Sequence, residues 1–177
     1  MAEALDQPAI RGIVPFVAVL AAIVVLFTAM PLWRPAPPSG DTYAIAPDAF
    51  DAKVEAQIKA YGTGEQASFS GDNLAEGETI PVVHPPAGDV YVLARRWHFW
   101  PYLELEEGKA YRLHIASTDI LHGFALGSAD LLLAPGAAHV VQITPKAGQP
   151  LVMQCSEFCG VRHNRMKATI RVVPAKP

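Results

Sequence analysis

The sequence predicts an all-β fold, an antiparallel sandwich or barrel. One N-terminal transmembrane helix is predicted to precede it in the chain. Arg11 and Arg34 bracket 22 residues without a charge, a pattern typical of a membrane span. From Asp89 onward, short runs rich in valine and isoleucine alternate with turn residues. The chain also contains 16 prolines and 13 glycines, which argue against a helical bundle.

Composition excludes several broad classes of protein. Hydrophobic residues make up 51% of the chain and charged residues 18%, so a disordered chain is excluded. The formal net charge is −3, whereas general nucleic-acid binders are usually strongly basic, and we expect no nucleic-acid partner. Two cysteines are too few for a disulfide framework.

Residues 12–33 are predicted to form the transmembrane helix, after a short tail over 1–11. At about 1.5 Å per residue this helix would be about 30 Å long, and Trp33 would anchor it at an interface with the lipid bilayer. A cleaved signal peptide is the alternative, but its apolar region would be shorter, and no clear cleavage site follows Met30. One arginine at each end leaves the orientation open.

Two segments connect the anchor to the β region. Residues 34–47 are predicted to be a proline-rich linker, because RPAPPSG favours a stiff polyproline conformation. Residues 48–88 are predicted to contain a short helix over 48–61 and then a loop with at most one short strand. Asp48 is the expected N-cap of this helix and Gly62 its end. Four apolar residues share one helical face: Phe50, Val54, Ile58 and Tyr61.

Residues 89–177 are predicted to form the β domain. Tyr111, Leu113 and Ile115 alternate with polar neighbours and should face the core. The predicted strands, five to seven in number, include DVYVLARRW, AYRLHIAS, HVVQIT, LVMQC and ATIRVVP.

Charge is unevenly distributed between two parts of the chain. Residues 41–89 carry nine acids and two lysines, whereas residues 90–177 carry six acids and ten bases. A solvated surface explains this distribution, and a docking face for a charged partner is the alternative.

One short segment has the ligand pattern C-x-x-x-C-x-x-x-H-x-x-M. Thiolate, imidazole and thioether ligands together select copper or a similarly soft metal. Calcium and magnesium would need oxygen ligands, and a structural zinc site has no use for a weak methionine. The pattern is formed by Cys155, Cys159, His163 and Met166.

Two thiolates in one loop can bridge two copper ions, each of which then needs a terminal nitrogen. His163 supplies one nitrogen, and His122 in the apolar segment DILHGFAL is the best candidate for the other. The alternative for the cysteine pair alone is a disulfide or two buried thiols.

The chain resembles subunit II of the haem–copper cytochrome c oxidases, which carries the binuclear CuA centre. The resemblance covers the anchor and residues 90–173, with CSEFCG, HxxM and DILHGFAL as its most specific motifs. A single anchor and HGF after the leucine are similar to the B-family type. The resemblance implies a cupredoxin-like Greek-key barrel outside the plasma (inner) membrane.

The resemblance also implies a role in the respiratory chain. Such a subunit accepts single electrons from cytochrome c or a similar small carrier. It passes them to haem in oxidase subunit I, where oxygen reduction is coupled to proton translocation. Three rivals are a thioredoxin-fold copper chaperone, nitrous oxide reductase and a copper-free quinol oxidase subunit.

Roles for individual residues follow from the resemblance. Cys155 and Cys159 would bridge two copper ions, and His122 and His163 would be terminal ligands. Met166 would be a weak axial ligand to one copper. The backbone carbonyl of Glu157 would be the weak ligand to the other, and its side chain matches a position that can reach magnesium beside subunit I.

The aromatic segment RRWHFW lies where the family accepts electrons, although its sequence departs from the common QWYW pattern. Trp97 is the best match for the accepting residue, and Trp100 is second. Core or rim aromatics are the alternative for both. We expect an exposed Trp97 indole, and a metal shielded by apolar residues such as Phe124 and Phe158.

Overall fold

A computed structural model of the 177-residue chain describes residues 7–29, 41–67 and 79–175. The chain divides into two compact units, Met1–Ala36 and Pro37–Pro177.

The first unit contains helix α1, Gln7–Ala29, with exposed apolar side chains along its described part. Within the described residues, no helix reaches the combined length and hydropathy of a membrane span. The transmembrane helix over 12–33 stays a prediction, and residues 30–33 lie outside the described part of the chain.

The second unit is mostly β, with two sheets, as the sequence predicts. The strands of the first sheet, in spatial order, are β1 (Thr42–Ala44), β10 (Ala137–Ile143), β7 (Tyr111–Ser117), β4 (Gly88–Arg95) and β5 (His98–Trp100). Those of the second are β2 (Gly62–Ala67), β3 (Ile80–Val83), β6 (Tyr102–Glu106), β12 (Lys167–Val173), β11 (Leu151–Gln154), β8 (His122–Leu126) and β9 (Ala129–Leu133).

The two sheets do not close on each other, so the barrel form of the predicted fold is wrong and the sandwich form is correct. Each sheet keeps two edge strands, β1 and β5 in one and β2 and β9 in the other. The sheets are also mixed, because β4 pairs with β7, and β6 with both β3 and β12, in parallel. Alternation of apolar residues reports which face is buried but not strand direction, so the predicted all-antiparallel arrangement is wrong in these pairs.

Short strands account for the remaining difference from the sequence prediction. Residues 88–173 contain nine strands, β4 to β12, where five to seven were predicted. The missed strands, including β5 and β9, are three to five residues long, too short to show a clear alternation. Upstream of them, β1 lies in the predicted linker, and β2 and β3 lie in the predicted loop.

Helix α2, Pro47–Tyr61, packs on the first sheet. Phe50 and Val54 are buried in one cluster with Leu93. The N-cap is Ala46 rather than the predicted Asp48, because Pro47 already begins the helix and places Asp48 in its first turn. The helix ends before Gly62, where a Cβ would lie 2.7 Å from the carbonyl oxygen of Ile58.

The inner faces of the two sheets meet in one hydrophobic core. Tyr111, Leu113 and Ile115 of β7 are buried in it, as their alternation predicts. Phe99 and Phe124 contact edge to face, with ring centroids 5.7 Å apart. At one end this core includes the sulfur-bearing residues of the motif segment, so the candidate site rests on the core rather than on a detached loop.

Candidate metal centre

The metal loop, residues 155–166, connects β11 to β12, which are antiparallel neighbours. Gln154 pairs with Lys167, and the N–H of Cys155 donates to the carbonyl of Met166 at 2.9 Å. The sheet register therefore brings the first and last ligand residues of the motif together.

A single turn of 3-10 helix, His163–Arg165, shapes the second half of the metal loop. The N–H of His163 donates to the carbonyl of Gly160, and the N–H of Met166 to that of His163, each at 3.0 Å. These local hydrogen bonds hold His163 and Met166 on the side of the loop that faces the cysteines.

The two cysteines lie side by side as free thiols. Their Sγ atoms are 3.6 Å apart, much farther than the roughly 2 Å of a disulfide, and both side chains are buried. The two-thiol arrangement is therefore present, and the disulfide alternative is not.

Each cysteine has its own imidazole. His122 Nδ1 lies 3.9 Å from Cys155 Sγ, and His163 Nδ1 lies 3.8 Å from Cys159 Sγ. The ligand atoms of His122 and both cysteines all lie within 4.8 Å of one another.

Two weaker donor groups also lie near the cysteines, one beside each. Met166 Sδ is 3.8 Å from Cys159 Sγ, and the carbonyl oxygen of Glu157 is 3.2 Å from Cys155 Sγ. The structure thus brings all six predicted ligand groups into one cluster.

The residues of the cluster differ in how deeply they are buried. His122 and Met166 are completely buried, and both cysteines nearly so. His163 is half-buried and Glu157 exposed. Phe124 is buried beneath the site as expected, but Phe158 is 77% exposed, so the prediction that it shields the metal is wrong. Its ring lies on the outer side of the loop, 5.8 Å from that of His163.

Asp119 orients His122 and was missed by the sequence analysis. Its Oδ1 lies 2.9 Å from His122 Nε2 and also accepts from the N–H of Ile120 at 2.7 Å. With Nε2 engaged in this way, Nδ1 is directed at Cys155. The spacing D-x-x-H before the apolar strand was the signal that could have identified this carboxylate.

The carboxylate of Asp119 is held ionised by these contacts. Burial opposes its charge, but hydrogen bonds from the N–H of Arg96, from His122 and from the N–H of Ile120 keep its pKa below the ordinary value. Burial also opposes protonation of His122. Its contacts with Cys155 and Asp119 nevertheless raise the imidazole pKa.

Gly123 allows the metal loop to lie directly on β8. A Cβ at this position would collide with Ser156 Oγ and with the backbone nitrogen of Glu157. Ser156 Oγ in turn donates to Asp130 Oδ1 at 2.7 Å, which fastens the loop to β9. The HGF sequence therefore combines a ligand, a close backbone approach and a buried aromatic ring.

Trp97 packs against the other flank of the metal loop. A Cβ built on Gly160 would lie 3.2 Å from Trp97 Nε1, and the positive φ of Gly160, +123°, also favours glycine there. The guanidinium of Arg162 lies 5.5 Å from the Trp97 ring centroid. The indole is half-buried rather than exposed as expected.

Trp100, the second choice for accepting electrons, has a different environment. It packs with the cluster around Phe50 of α2, and the guanidinium of Arg95 lies 4.8 Å from its ring centroid. Of the two tryptophans, Trp97 is the one that the fold brings to the metal loop.

The two thiols differ sharply in acidity. Burial opposes ionisation of Cys155, but hydrogen bonds from His122, the N–H of Gly123, His163 and Cys159 lower its thiol pKa to about 6. Burial and the contact with Cys155 together raise the pKa of the Cys159 thiol to about 12. Without metal, the pair therefore holds one thiolate and one proton near neutral pH.

The donor atoms fit copper. Two sulfurs, two imidazole nitrogens, a thioether and one carbonyl form a soft, largely buried set, whereas hard cations would need several oxygens. A low thiol pKa also favours metal binding, because the thiolate is the ligand.

The unequal thiol acidities can be tested on the reduced, metal-free protein. We expect thiolate absorbance near 240 nm to rise by one thiolate per chain with a midpoint near pH 6. The thiolate is favoured above that pH, since its hydrogen bonds outweigh burial. Cys155→Ser should abolish the step. Two thiols titrating together near the ordinary value would contradict the assignment.

Comparisons with known proteins agree with the geometry. Residues 101–173 match the family described as cytochrome c oxidase subunit II, periplasmic domain. A probable cytochrome c oxidase subunit 2 of Streptomyces avermitilis is 35% identical over 77 residues, 41% of this chain and 24% of that protein. Cytochrome c oxidase subunit 2 of Thermus thermophilus is 31% identical over 86 residues, 47% of this chain and 64% of that protein.

Among solved structures, the periplasmic domain of cytochrome oxidase subunit II of Bradyrhizobium japonicum has a TM-score of 0.45 and 21% identity. That similarity covers 51% of this chain and 87% of the other. The chain spans only about a quarter of the length of the Streptomyces relative that it matches. The similarity to the periplasmic domain of cytochrome c oxidase subunit II thus extends over residues 101–173 of this chain.

Proposed function

We propose that this chain is the electron-accepting subunit of a terminal oxidase, an oxidoreductase of the respiratory chain. It takes single electrons from cytochrome c or a similar small carrier. It passes them to haem in subunit I, where oxygen reduction is coupled to proton translocation. The observation that carries this proposal is the pair of buried thiols 3.6 Å apart, each with its own imidazole.

The residues divide into strong and weak ligands of a binuclear copper centre. Cys155 and Cys159 would hold two copper ions between them, and His122 and His163 would be the terminal ligands. Met166 and the carbonyl oxygen of Glu157 are weak ligands, consistent with their placement beside different cysteines. Bound copper would supply one-electron exchange, and no substrate bond is broken in this chain.

The protein contributes a rigid, dry environment to that exchange. His122, Cys155 and Met166 are held in place by the core, so their positions need little adjustment when the charge changes. Asp119 holds the His122 ring, and the hydrogen bond between Cys155 and Met166 fixes the ends of the loop. A preorganised set of ligands of this kind favours fast electron transfer.

A metal analysis of the reconstituted chain tests the centre. We expect two coppers per chain, a purple colour and an EPR signal from one unpaired electron shared by both ions. Cys155→Ser or Cys159→Ser should destroy that signal, because one thiolate cannot bridge both ions in the same way. A single-copper blue spectrum would contradict the binuclear centre.

Magnesium is a separate part of the proposal. Glu157 presents an exposed side chain on the metal loop, which is available at the contact with subunit I. In the same metal analysis, magnesium should therefore be retained by the assembled oxidase and lost from it in Glu157→Ala. Copper, which needs only the backbone of Glu157, should be unaffected.

The anchor and its orientation are also proposed. A single N-terminal span over residues 12–33, as in the B-family type, would carry residues 34–177 on the periplasmic or outer side of the plasma (inner) membrane, where the donor is expected. Protease added to sealed, right-side-out cells should digest the β domain. Digestion only in inverted vesicles would show the opposite orientation.

Trp97 is proposed as the point at which electrons enter, because it packs against Gly160 of the metal loop. Trp97→Ala should slow reduction by cytochrome c at least about tenfold, or about 1.4 kcal/mol on the barrier. The copper spectrum should not change, because indole is not a ligand. Stopped-flow kinetics measure the rate, with Trp100→Ala as the matched control. If only the Trp100 variant is slow, electrons enter there instead.

A further inference from the structure

The surface around the metal loop carries protruding apolar side chains. Phe158 and Val161 are 77% and 92% exposed, and they flank Gly160, the residue against which Trp97 packs. We refer to Trp97, Phe158 and Val161 as the apical patch. Apolar side chains that cluster in this way on a well-held loop are typical of a protein interaction surface.

Positive charge surrounds the apical patch. The two segments that form it, 96–97 and 158–167, contain four cationic residues and no acid: Arg96, Arg162, Arg165 and Lys167. Arg162 lies directly over the Trp97 ring, at 5.5 Å from its centroid. An approaching protein would therefore meet cations and apolar surface together.

Two acids, Asp119 and Glu157, lie beside these segments, against four cations. Asp119 contacts the His122 imidazole and also pairs with Arg96, whose Nε lies 4.0 Å from its carboxylate, so it offsets part of the charge of Arg96. Glu157 lies on the other flank of the loop, where its backbone abuts Gly123 rather than Trp97.

The positive charge is local and not a property of the whole chain. The formal net charge is −3, and residues 41–89 carry nine acids against two lysines. An excess of cations at the metal end of an otherwise acidic chain creates a field that selects partners by their charge.

We propose that the electron donor is a small redox protein whose contact surface has an apolar centre ringed by carboxylates, and that it docks on the apical patch. The proposal rests on the function proposed above and specifies its partner. Opposite charges steer the donor to the patch, and apolar contact then excludes water beside Trp97. A lysine-rich contact surface would be repelled by the same arginines.

The test uses one haem protein in two charge states. The copper-loaded full chain, in non-ionic detergent, is mixed with reduced lysine-rich cytochrome c or with the same protein after succinylation of its lysines. Stopped-flow rates are compared at about 10 mM and about 200 mM ionic strength, since salt screens exposed charges. Because each probe is compared with itself, a difference in haem potential between the probes does not affect the sign of the salt effect.

We expect the succinylated probe to be slowed by salt and the native probe to be accelerated by it. Arg162→Glu should slow the succinylated probe at least about fivefold at low ionic strength and accelerate the native one. The matched control is Lys109→Glu, which makes the same charge change two residues before β7 begins, at the end remote from Asp119. It should alter either rate less than about twofold.

Three outcomes would overturn the proposal: a native probe slowed by salt, rates of both probes independent of salt, or equal effects of the two charge reversals. These three outcomes differ from the result that would refute the proposed function. If the chain gives no binuclear copper spectrum, the function fails and the donor assignment fails with it. An intact copper spectrum with a preference for the lysine-rich probe refutes the donor assignment alone.

Discussion

The candidate site depends on the antiparallel pairing of β11 with β12. This register joins Cys155 to Met166 by a backbone hydrogen bond and closes the loop between them. Once the ends are joined, ten intervening residues must fold back over a small area, and Gly160 and the 3-10 turn at His163 allow this. Ligands close in sequence thereby converge without any contribution from distant strands except that of His122.

Asp119 is the second constraint on the site, because its one carboxylate contacts both the His122 ring and the backbone next to Trp97. It orients His122 through Oδ1 and accepts the backbone N–H of Arg96 through Oδ2 at 3.0 Å. Arg96 immediately precedes Trp97, so the tryptophan and the ligand histidine are fixed to the same group. The half-buried position of Trp97 against Gly160 follows from this attachment, and it places the indole closer to the ligands than a freely exposed side chain would be.

The features recovered from sequence were those encoded by local patterns. Alternation in β7 correctly assigned Leu113 to the core, and the spacing of the motif identified ligand groups that the structure brings together. Parallel pairing and the role of Gly160 were not recovered, because each depends on contacts between segments far apart in the chain. The short strands show too little alternation, and Asp119 was missed although it lies only three residues before His122. Phe158 was expected to shield the metal and is instead largely exposed, since an aromatic residue between two buried cysteines gives no sign of its direction.

The sulfur-bearing residues of the candidate site are part of the hydrophobic core. Cys155, Cys159 and Met166 belong to the same buried cluster as Phe124 and Leu113, and each behaves there as a small or flexible apolar side chain. Strand pairing and backbone hydrogen bonds also hold Cys155 and Met166 in place. Hydrophobic packing therefore contributes to the placement of these sulfur atoms, together with strand pairing and backbone hydrogen bonds. An arrangement held by the core also resists rearrangement when the charge at its centre changes. The same packing that buries the sulfurs thus suits the site to the one-electron transfer proposed for it.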